Sequence, residues 1–390
     1  MTDAGVAKMS EGFITNEALE AWRERIGVKL RIGNIFNQYA SKEAIRNYAL
    51  GIGDVNPLWR DEEYAKQTAY KSIVAPPGWY YSVFPTWVSQ GLPGVHAFHS
   101  GNDWNFYKPV FFGDTITPES IFTGFDVRGS RFAGKTVREY EQANFYNQRG
   151  ELVASTDLWI IRAERAAARK TGKYSSIELP HPWTEDELKK VDEDVLSEQI
   201  RGNNPRYWED VEVGEELTPV VKGPFGLTDI IAFCVGAAPV QLMAHHASLE
   251  LYKRHPAWGF RDPATYAWEP IYGVHYNKAA ANAAGLPYPY DVGTQRQSFV
   301  IHLITNWMGD DGWLKKNYAE YRRFFYLSDA LWLKGTVVRK YVDEDGDYCV
   351  GIKTSGINQR SEDTVPGYSI VALPSRDNNH WPLDKRLPAR

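Results

Sequence analysis

Asn147-Gln148-Arg149-Gly150-Glu151 has a counterpart later in the same chain, Asn358-Gln359-Arg360-Ser361-Glu362. Upstream of the first run lies Tyr107-Lys108-Pro109-Val110-Phe111-Phe112-Gly113-Asp114-Thr115-Ile116, and upstream of the second lies Phe324-Phe325-Tyr326-Leu327-Ser328-Asp329-Ala330-Leu331. Asp114 and Asp329 precede their Asn-Gln-Arg runs at similar separations. Ser41 and Thr228 read as helix N-caps ahead of Tyr48-Ala49-Leu50-Gly51 and Phe233-Cys234-Val235-Gly236. Landmarks repeated in the same order point to one structural unit used twice. In a duplicated enzyme one copy can keep the chemistry that the other loses, so the differences between the copies carry the most information.

The 390 residues suit two domains or one fused pair. With 43% apolar and 24% charged residues the composition is that of a soluble globular protein. A net charge of −5 gives no reason to expect nucleic acid as a partner. No apolar run approaches the roughly 20 residues that span a bilayer, so no membrane is expected. Met1 to Ile26 carries Asp3, Glu11, Glu17 and Glu20 and has no apolar core, unlike a secretory signal. Cys234 and Cys349 are too few for a disulfide framework, and a cytoplasmic location is expected. The 14 Trp, 23 Tyr and 17 Phe fill a core and an interface, and some of them suit a pocket for a bulky ligand.

The pattern predicts an N-terminal helix within residues 1–27, from Thr15 to Ile26 and closed by Gly27. A first copy is expected over 28–165, with helices from Ser41 to Leu50, Arg60 to Gln67 and Gly78 to Gln90, the last broken by Pro85. Strands are expected at Ile116 to Gly124, Thr136 to Gln148 and Glu151 to Arg162. Residues 166–207 read as a linker with a charged helix, opened by the capping box Thr184-Glu185-Asp186-Glu187 and ended by Gly202. The second copy is expected over 208–374, with a strand and turn at Val211 to Glu215 and a helix from Thr228 to Val235. An insertion follows from Val240 to Gly273, then an amphipathic helix from Arg296 to Trp307 and strands at Leu331 to Arg339, Tyr348 to Asn358 and Tyr368 to Leu373. Residues 375–390 form a tail. Helices first and antiparallel strands after make an α+β fold.

Tyr48-Ala49-Leu50-Gly51-Ile52-Gly53-Asp54-Val55-Asn56-Pro57-Leu58-Trp59-Arg60-Asp61-Glu62-Glu63-Tyr64-Ala65 resembles the hydratase motif of the MaoC-like, hot-dog-fold enoyl-thioester hydratases. That motif reads Gly-Asp-x-Asn-Pro-(Ile/Leu)-His, then Asp and Tyr-Ala. Ile73-Val74-Ala75-Pro76-Pro77-Gly78 resembles the loop into the central helix of that fold, and Phe106 to Asp114 resembles its strand signature. The resemblance implies a double hot-dog: two fused repeats, each a long helix wrapped by an antiparallel sheet, with the sheets side by side. It also implies a carboxylate and an imidazole that hold one water and move it onto or off an α,β-unsaturated thioester. Trp59 stands where the family has its His, and indole neither takes up nor gives a proton at neutral pH. Asp54 and Asn56 are left to hold the loop through Asx hydrogen bonds.

The second copy has the imidazole. Gly273-Val274-His275-Tyr276-Asn277-Lys278-Ala279-Ala280-Ala281 resembles the tail of the motif, and Gly285-Leu286-Pro287-Tyr288-Pro289-Tyr290-Asp291-Val292-Gly293 resembles the loop into the central helix. The counterpart of Asp54 is Pro239, so the carboxylate is lost there. The Tyr290-Asp291-Val292-Gly293 and Trp307-Met308-Gly309-Asp310-Asp311-Gly312 runs are similar to those of fused MaoC-like dehydratases. His275 is the candidate acid/base, with Asp291 or Glu269 as its carboxylate. The bland alternatives are an Asp291 that caps a helix and a Glu269 that lies at the surface. Gly293 and Thr294 offer backbone N–H groups to a developing oxyanion. Tyr272, Asp54, Asn56 and Trp59 complete the candidate substrate-side set. His245-His246 lacks a Cys, Asp or Glu at ligand spacing, so no metal is expected. Gly51-Ile52-Gly53 follows a helix rather than a strand and is no nucleotide loop. No Gly-x-Ser-x-Gly elbow occurs, and no cofactor is expected.

The resulting expectation is a hydro-lyase acting on an acyl thioester, acyl-CoA in the first place, chemically at the second copy, with the first copy as scaffold and acyl pocket. Two rivals stand beside it: a hot-dog thioesterase, and a non-catalytic acyl-CoA-binding subunit of a hydratase complex. A homodimer or higher homo-oligomer is the expected assembly.

Overall fold

The computed structural model describes residues 7–131, 133–238 and 242–387. Pro239, matched above to Asp54, lies outside the described residues, as does Val240 at the start of the insertion. The first half runs α1 (Asn16–Arg23), β1 (Lys29–Leu30), α2 (Lys42–Gly51), α3 (Glu62–Gln67), α4 (Tyr80–Val83), β2 (His96–Phe106), β3 (Thr117–Ser130), β4 (Gly134–Tyr146) and β5 (Leu152–Ala163). Two helices connect the halves, α5 (Arg165–Thr171) and α6 (Glu185–Leu196). The second half runs β6 (Val220–Lys222), α7 (Leu227–Ala237), α8 (His245–Arg254), β7 (Gly259–Arg261), β8 (Trp268–Pro270), α9 (Lys278–Ala283), α10 (Gly293–Met308), β9 (Trp313–Glu320), β10 (Leu331–Val342), β11 (Tyr348–Asn358) and β12 (Gly367–Ala372).

Local chemistry sets most helix starts. The side chains of Thr15, Ser41 and Asp61 accept from backbone N–H groups of α1, α2 and α3, and Thr184 with Glu187 forms a complete capping box at α6. Two expectations are corrected. Thr228 does not cap α7: the helix starts one residue earlier, and Asp229 accepts from the N–H of Gly226 instead. Helix α6 ends at Leu196, well before Gly202, which sits at φ 59° in the turn beyond.

The strands form one ten-stranded sheet in the order β1-β3-β4-β5-β2-β9-β12-β11-β10-β6, with β7 and β8 as a separate ribbon. Each half supplies five neighbouring strands, and the halves meet where β2 pairs antiparallel with β9, from Gly101 opposite Glu320 to Asn105 opposite Lys316. Helices packed on a continuous antiparallel sheet built from two like halves make this an α+β, double hot-dog fold.

The repeated sequence landmarks do the same structural job twice. Gln148 donates to Asp114 Oδ1 at 2.6 Å, and Gln359 to Asp329 Oδ1 at 2.6 Å. The other oxygen of each Asp accepts a backbone N–H three residues upstream, from Phe111 and Tyr326. Asn147 and Asn358 each close their hairpin by accepting two backbone N–H groups. These side chains satisfy turn amides that would otherwise be left without partners.

The helices are not duplicated equally. Helix α10 has 16 residues and is buried on every side from Thr294 to Met308, so the amphipathic character expected for Arg296 to Trp307 gives way to full enclosure. Its counterpart in the first half is only a 3₁₀ turn at Pro77–Trp79 followed by the four residues of α4. The expected helix to Gln90 stops at Phe84, ahead of Pro85, and Thr86 takes a φ of 70°. Around the junction, α2 crosses α7 so closely that a Cβ on Gly51 would stand 2.7 Å from the Ala232 carbonyl oxygen, and one on Gly236 2.5 Å from that of Asn47. The matched glycines of the two repeats are thus the contact points of the two matched helices.

Gln297 of α10 sits over the β2–β9 seam. Its amide Nε2 donates to the Asn317 carbonyl at 3.2 Å, to Asn317 Oδ1 at 2.7 Å and to the Asn102 carbonyl at 3.4 Å. Its Oε1 accepts from Tyr81 at 2.9 Å and from Tyr321 at 2.7 Å. Replacing Gln297 by Leu keeps the volume but strands two buried hydroxyls and a carbonyl. At about 1–3 kcal/mol for each unsatisfied buried group, chemical denaturation should show a loss of roughly 3 kcal/mol or more. A loss below about 1 kcal/mol would show the network to be dispensable.

Candidate active site

The first half's motif loop leaves α2 and turns through Gly53 at φ 67°. Asp54 Oδ1 accepts from the Asn56 N–H at 2.9 Å, and Asn56 Oδ1 accepts from the Leu58 N–H at 3.0 Å, the Asx bonds expected of a held loop. The indole N–H of Trp59 donates to Asp54 Oδ2 at 2.9 Å. Trp59 therefore goes beyond removing a base. It occupies the carboxylate oxygen that would orient a water. The cavity beside it, lined by Tyr70, Pro77, Tyr80, Met308 and Leu314 among others, holds about 30 Å³. That is room for about one water and too little for the acyl chain the first copy was expected to take. Tyr64, at the Tyr-Ala position of the motif, donates to Asp310 of the second half at 2.6 Å and ties the two motifs together.

Behind Asp54 lies a cluster that the sequence did not disclose. His302, in the middle of α10, places Nε2 2.9 Å from Glu198 Oε1 and 3.6 Å from Asp54 Oδ1. Lys222 of β6 donates to His302 Nδ1 at 3.0 Å and to the Gly53 carbonyl at 3.2 Å, and Asn306 donates to Glu198 at 3.0 Å. The Lys222 bond leaves the Nε2–H tautomer of His302, which donates to Glu198. Burial raises the Glu198 carboxyl, but the His302 hydrogen bond and the charge of Lys222 outweigh it and hold the group down to about 2. Burial pushes the Lys222 amine below its usual range. This is a carboxylate and an imidazole in contact, yet both ring nitrogens are taken and the His302 side chain is fully buried. The cluster joins the connector, the first-half loop and the second-half helix.

In the second half, His275 ends a 3₁₀ turn at Ile271–His275 and packs between the rings of Tyr272 and Tyr290, at centroid distances of 4.6 and 4.8 Å. Its Nδ1 meets the Tyr290 carbonyl at 2.9 Å, so Nδ1 carries the hydrogen and Nε2 is left without a hydrogen-bond partner among the described residues. Burial drives its pKa down to about 4, opposed by the backbone hydrogen bonds of Tyr290 and Asp291. Tyr272, whose hydroxyl lies 3.4 Å from Cys234 Sγ, has its pKa raised by burial.

Neither proposed carboxylate reaches His275 as a hydrogen-bond partner. Asp291 is gripped by Arg296, with Nε donating to Oδ2 at 2.8 Å and Nη2 donating to Oδ1. Burial raises the Asp291 pKa and Arg296 opposes that rise. Glu269, in β8, accepts from the Tyr276 hydroxyl at 3.1 Å. Gly293 opens α10, where Val292 supplies no capping side chain. A Cβ at Gly293 would stand 2.7 Å from the Tyr321 ring, so the close approach that needs glycine here is to an aromatic side chain. Thr294 is buried, and its Oγ1 has no partner. His245 and His246 are exposed at the start of α8.

The sealed His302 cluster makes a stability prediction. His302→Ala removes the ring that donates to Glu198 and accepts from Lys222, leaving each of these charged groups short of one hydrogen bond. At about 1–3 kcal/mol for each group left unsatisfied, the variant should lose roughly 2–4 kcal/mol in urea unfolding. A loss below about 1 kcal/mol would mean that the cluster behaves as a surface ion pair.

Comparison with other proteins agrees with the fold. Residues 31–156 match the FAS1-like, dehydratase domain region. A UPF0336 protein of Parafrankia is 30% identical over 135 residues, 33% of this chain and 86% of that protein. The (R)-specific enoyl-CoA hydratase of Aeromonas caviae is 28% identical over 128 residues, 33% of this chain and 92% of the hydratase. A solved MaoC-like dehydratase shares the fold at 15% identity and a TM-score of 0.61, covering 90% of this chain and 98% of its own. No helix among the described residues is long and apolar enough to cross a membrane. By the fold, the matched domain and the curated relatives, this chain belongs to the MaoC-like, FAS1-like dehydratase family.

Proposed function

We propose that the chain is a hydro-lyase that adds water to, or removes it from, the α,β-position of an acyl thioester, with coenzyme A as the carrier, at the second-half centre. The observation that supports this reading is the state of His275. Nδ1 is fixed by a backbone carbonyl, Nε2 is free, and the carbonyl belongs to a residue three positions before α10. Hydrogen-bonding one ring nitrogen sets the tautomer and aims the other as a base.

In the hydration direction, Nε2 takes a proton from water while the water oxygen bonds the β-carbon. Negative charge then builds on the thioester oxygen, where the N–H groups of Gly293 and Thr294 at the uncapped start of α10 stabilise it. The imidazolium returns its proton to the α-carbon, so one OH and one H have been added and the base is regenerated. One imidazole performs both transfers. A pKa near 4 keeps it unprotonated at neutral pH and makes its conjugate acid a ready donor. This assigns to the chain the kind of activity carried in the name of its Aeromonas relative.

A second reading, a non-catalytic acyl-thioester-binding subunit, is favoured by one observation: no described carboxylate bonds to His275. Assay on a panel of enoyl-CoA thioesters separates the two. Turnover by the wild type, lost by about 10²- to 10⁴-fold in His275→Ala, is the expected result, and full activity in that variant rejects the assignment. The acid limb of kcat/KM should fall near pH 4 rather than near the ordinary histidine value, because the free enzyme loses its base only when Nε2 is protonated. Release of free thiol in place of hydration would identify a thioesterase.

A further inference from the structure

His96 opens β2 and is 4% exposed, yet neither of its ring nitrogens has a hydrogen-bond partner among the described residues. It pairs across the sheet with Ala163, two residues before Arg165. Arg165 is 3% exposed. Its Nη1 donates to the Ser10 carbonyl, its Nε has no partner, and no carboxylate forms an ion pair with it among the described residues. The acids around it are shared or engaged elsewhere: the charge of Glu11 reaches Arg165 while its carboxylate pairs with Arg169 at 2.7 Å, Glu139 pairs with Arg162 at 3.3 Å, and Glu164 accepts from the Ile14 N–H at 2.8 Å. Two guanidiniums that share one carboxylate, beside a buried imidazole without a partner among the described residues, are unfavourable in an empty site, and each such group requires an explanation.

A run of ring contacts leads from His96 toward His275. The His96 ring packs tilted against Phe98 at 4.4 Å, Phe98 meets Phe324 at 5.7 Å, Phe324 meets Tyr290 at 4.9 Å, and Tyr290 meets His275 at 4.8 Å. One aromatic nest, built from both halves of the chain, thus carries His275 at one end and His96 at the other. Burial, then the charge of Arg165, pushes the His96 pKa well below its usual value, so the ring is a neutral donor and Arg165 supplies the positive charge. One positive charge and one neutral N–H match a single carboxylate better than a doubly charged phosphate. The burial of both residues also favours the acyl end of a thioester over the coenzyme, whose charged phosphates are costly to strip of water.

We propose that His96 and Arg165 form a pocket for a carboxylate at the far end of the acyl group, so that the preferred substrates are thioesters of dicarboxylic acids. The proposal rests on the hydro-lyase reading for the chemistry at the other end of the chain. Two measurements test it. In the first, kcat/KM of the wild type is compared for an enoyl-CoA ending in a carboxylate and for its methyl ester of equal length. A preference of about tenfold or more for the acid is expected from one charge-assisted hydrogen bond. Arg165→Gln should remove that preference through KM, and Arg165→Lys should restore part of it. In the second, calorimetry compares the binding of a saturated dicarboxylic acyl-CoA with that of its methyl ester, which needs no turnover. Tighter binding of the acid without any turnover would keep the pocket and reject the hydro-lyase. Turnover with equal use of acid and ester would keep the hydro-lyase and reject the pocket. Should Arg165→Gln fail to fold, the wild-type comparison alone decides, and equal affinity for acid and ester overturns the proposal.

Discussion

One glutamine amide ties the two halves of the sheet together where they meet. Gln297 stands in the middle of the long helix and reaches the two strands, β2 and β9, that join the halves into one sheet. Each of its polar atoms is used, and the partners come from both halves: Asn102 and Tyr81 from the first, Asn317 and Tyr321 from the second. Tyr81 passes the network on by accepting from the Trp104 indole at 2.8 Å. A fully satisfied buried network fixes a single register and a single helix rotation, whereas an apolar contact would tolerate several. The helix carries at its start the N–H groups proposed for the oxyanion and His302 in its middle, so fixing α10 fixes both motif regions relative to the sheet.

Duplication explains why the halves share staples and differ in chemistry. The Asp–Gln and Asn turn bonds recur because every hairpin of this shape leaves the same amides to be satisfied. The catalytic loops are under no such local requirement and have diverged. The first half keeps Asp54 but closes it with the Trp59 indole. The second half keeps His275 but has no bonded carboxylate beside it. The central helix follows the same division. It is long in the second half, where its start lies close to the residue that anchors His275, and nearly absent in the first, where Pro85 and the left-handed Thr86 stop it.

What the sequence disclosed and what it hid follow from the range of the interactions involved. Caps such as Ser41 and Thr184 are decided within three residues, and they were legible, as was the repeat of the turn Asn and Gln residues; Asp61, read as part of a helix from Arg60, instead caps the helix that begins at Glu62. The strands at Thr117–Ser130, Gly134–Tyr146, Leu152–Ala163, Leu331–Val342 and Tyr348–Asn358 announced themselves by pattern, whereas β2 and β9 did not. Both seam strands interrupt their apolar residues with polar ones, Asn102, Asp103 and Asn105 in β2 and Lys315, Lys316 and Asn317 in β9, and the partner strand satisfies some of them, as in the Lys316–Asp103 ion pair at 2.9 Å. Thr228 was a plausible cap that lost to Asp229, which reaches back to Gly226 from inside the helix. The candidate site was half legible. His275, Gly293 and the Asx role of Asp54 and Asn56 rest on short spacings. The fate of Asp291 depended on Arg296 five residues on, and only the three-dimensional arrangement shows that the guanidinium grips it. His302, Glu198 and Lys222 meet across separations of 80 to 104 residues, and no local spacing marks them.

The loss of a carboxylate beside His275 has a physical consequence for how such a site operates. An acid hydrogen-bonded to imidazole stabilises the imidazolium and raises its pKa, which strengthens the base and weakens the acid. A backbone carbonyl orients the ring with far less effect on its charge, and burial then dominates, holding the pKa near 4. The ring is a weaker base toward water but a stronger acid toward the α-carbon. In the proposed hydro-lyase that balance would suit a reaction whose harder step is protonation of a stabilised enolate, and it would place more of the catalytic load on the oxyanion contacts proposed for Gly293 and Thr294. Their position depends in turn on α10, which the Gln297 network holds across the seam.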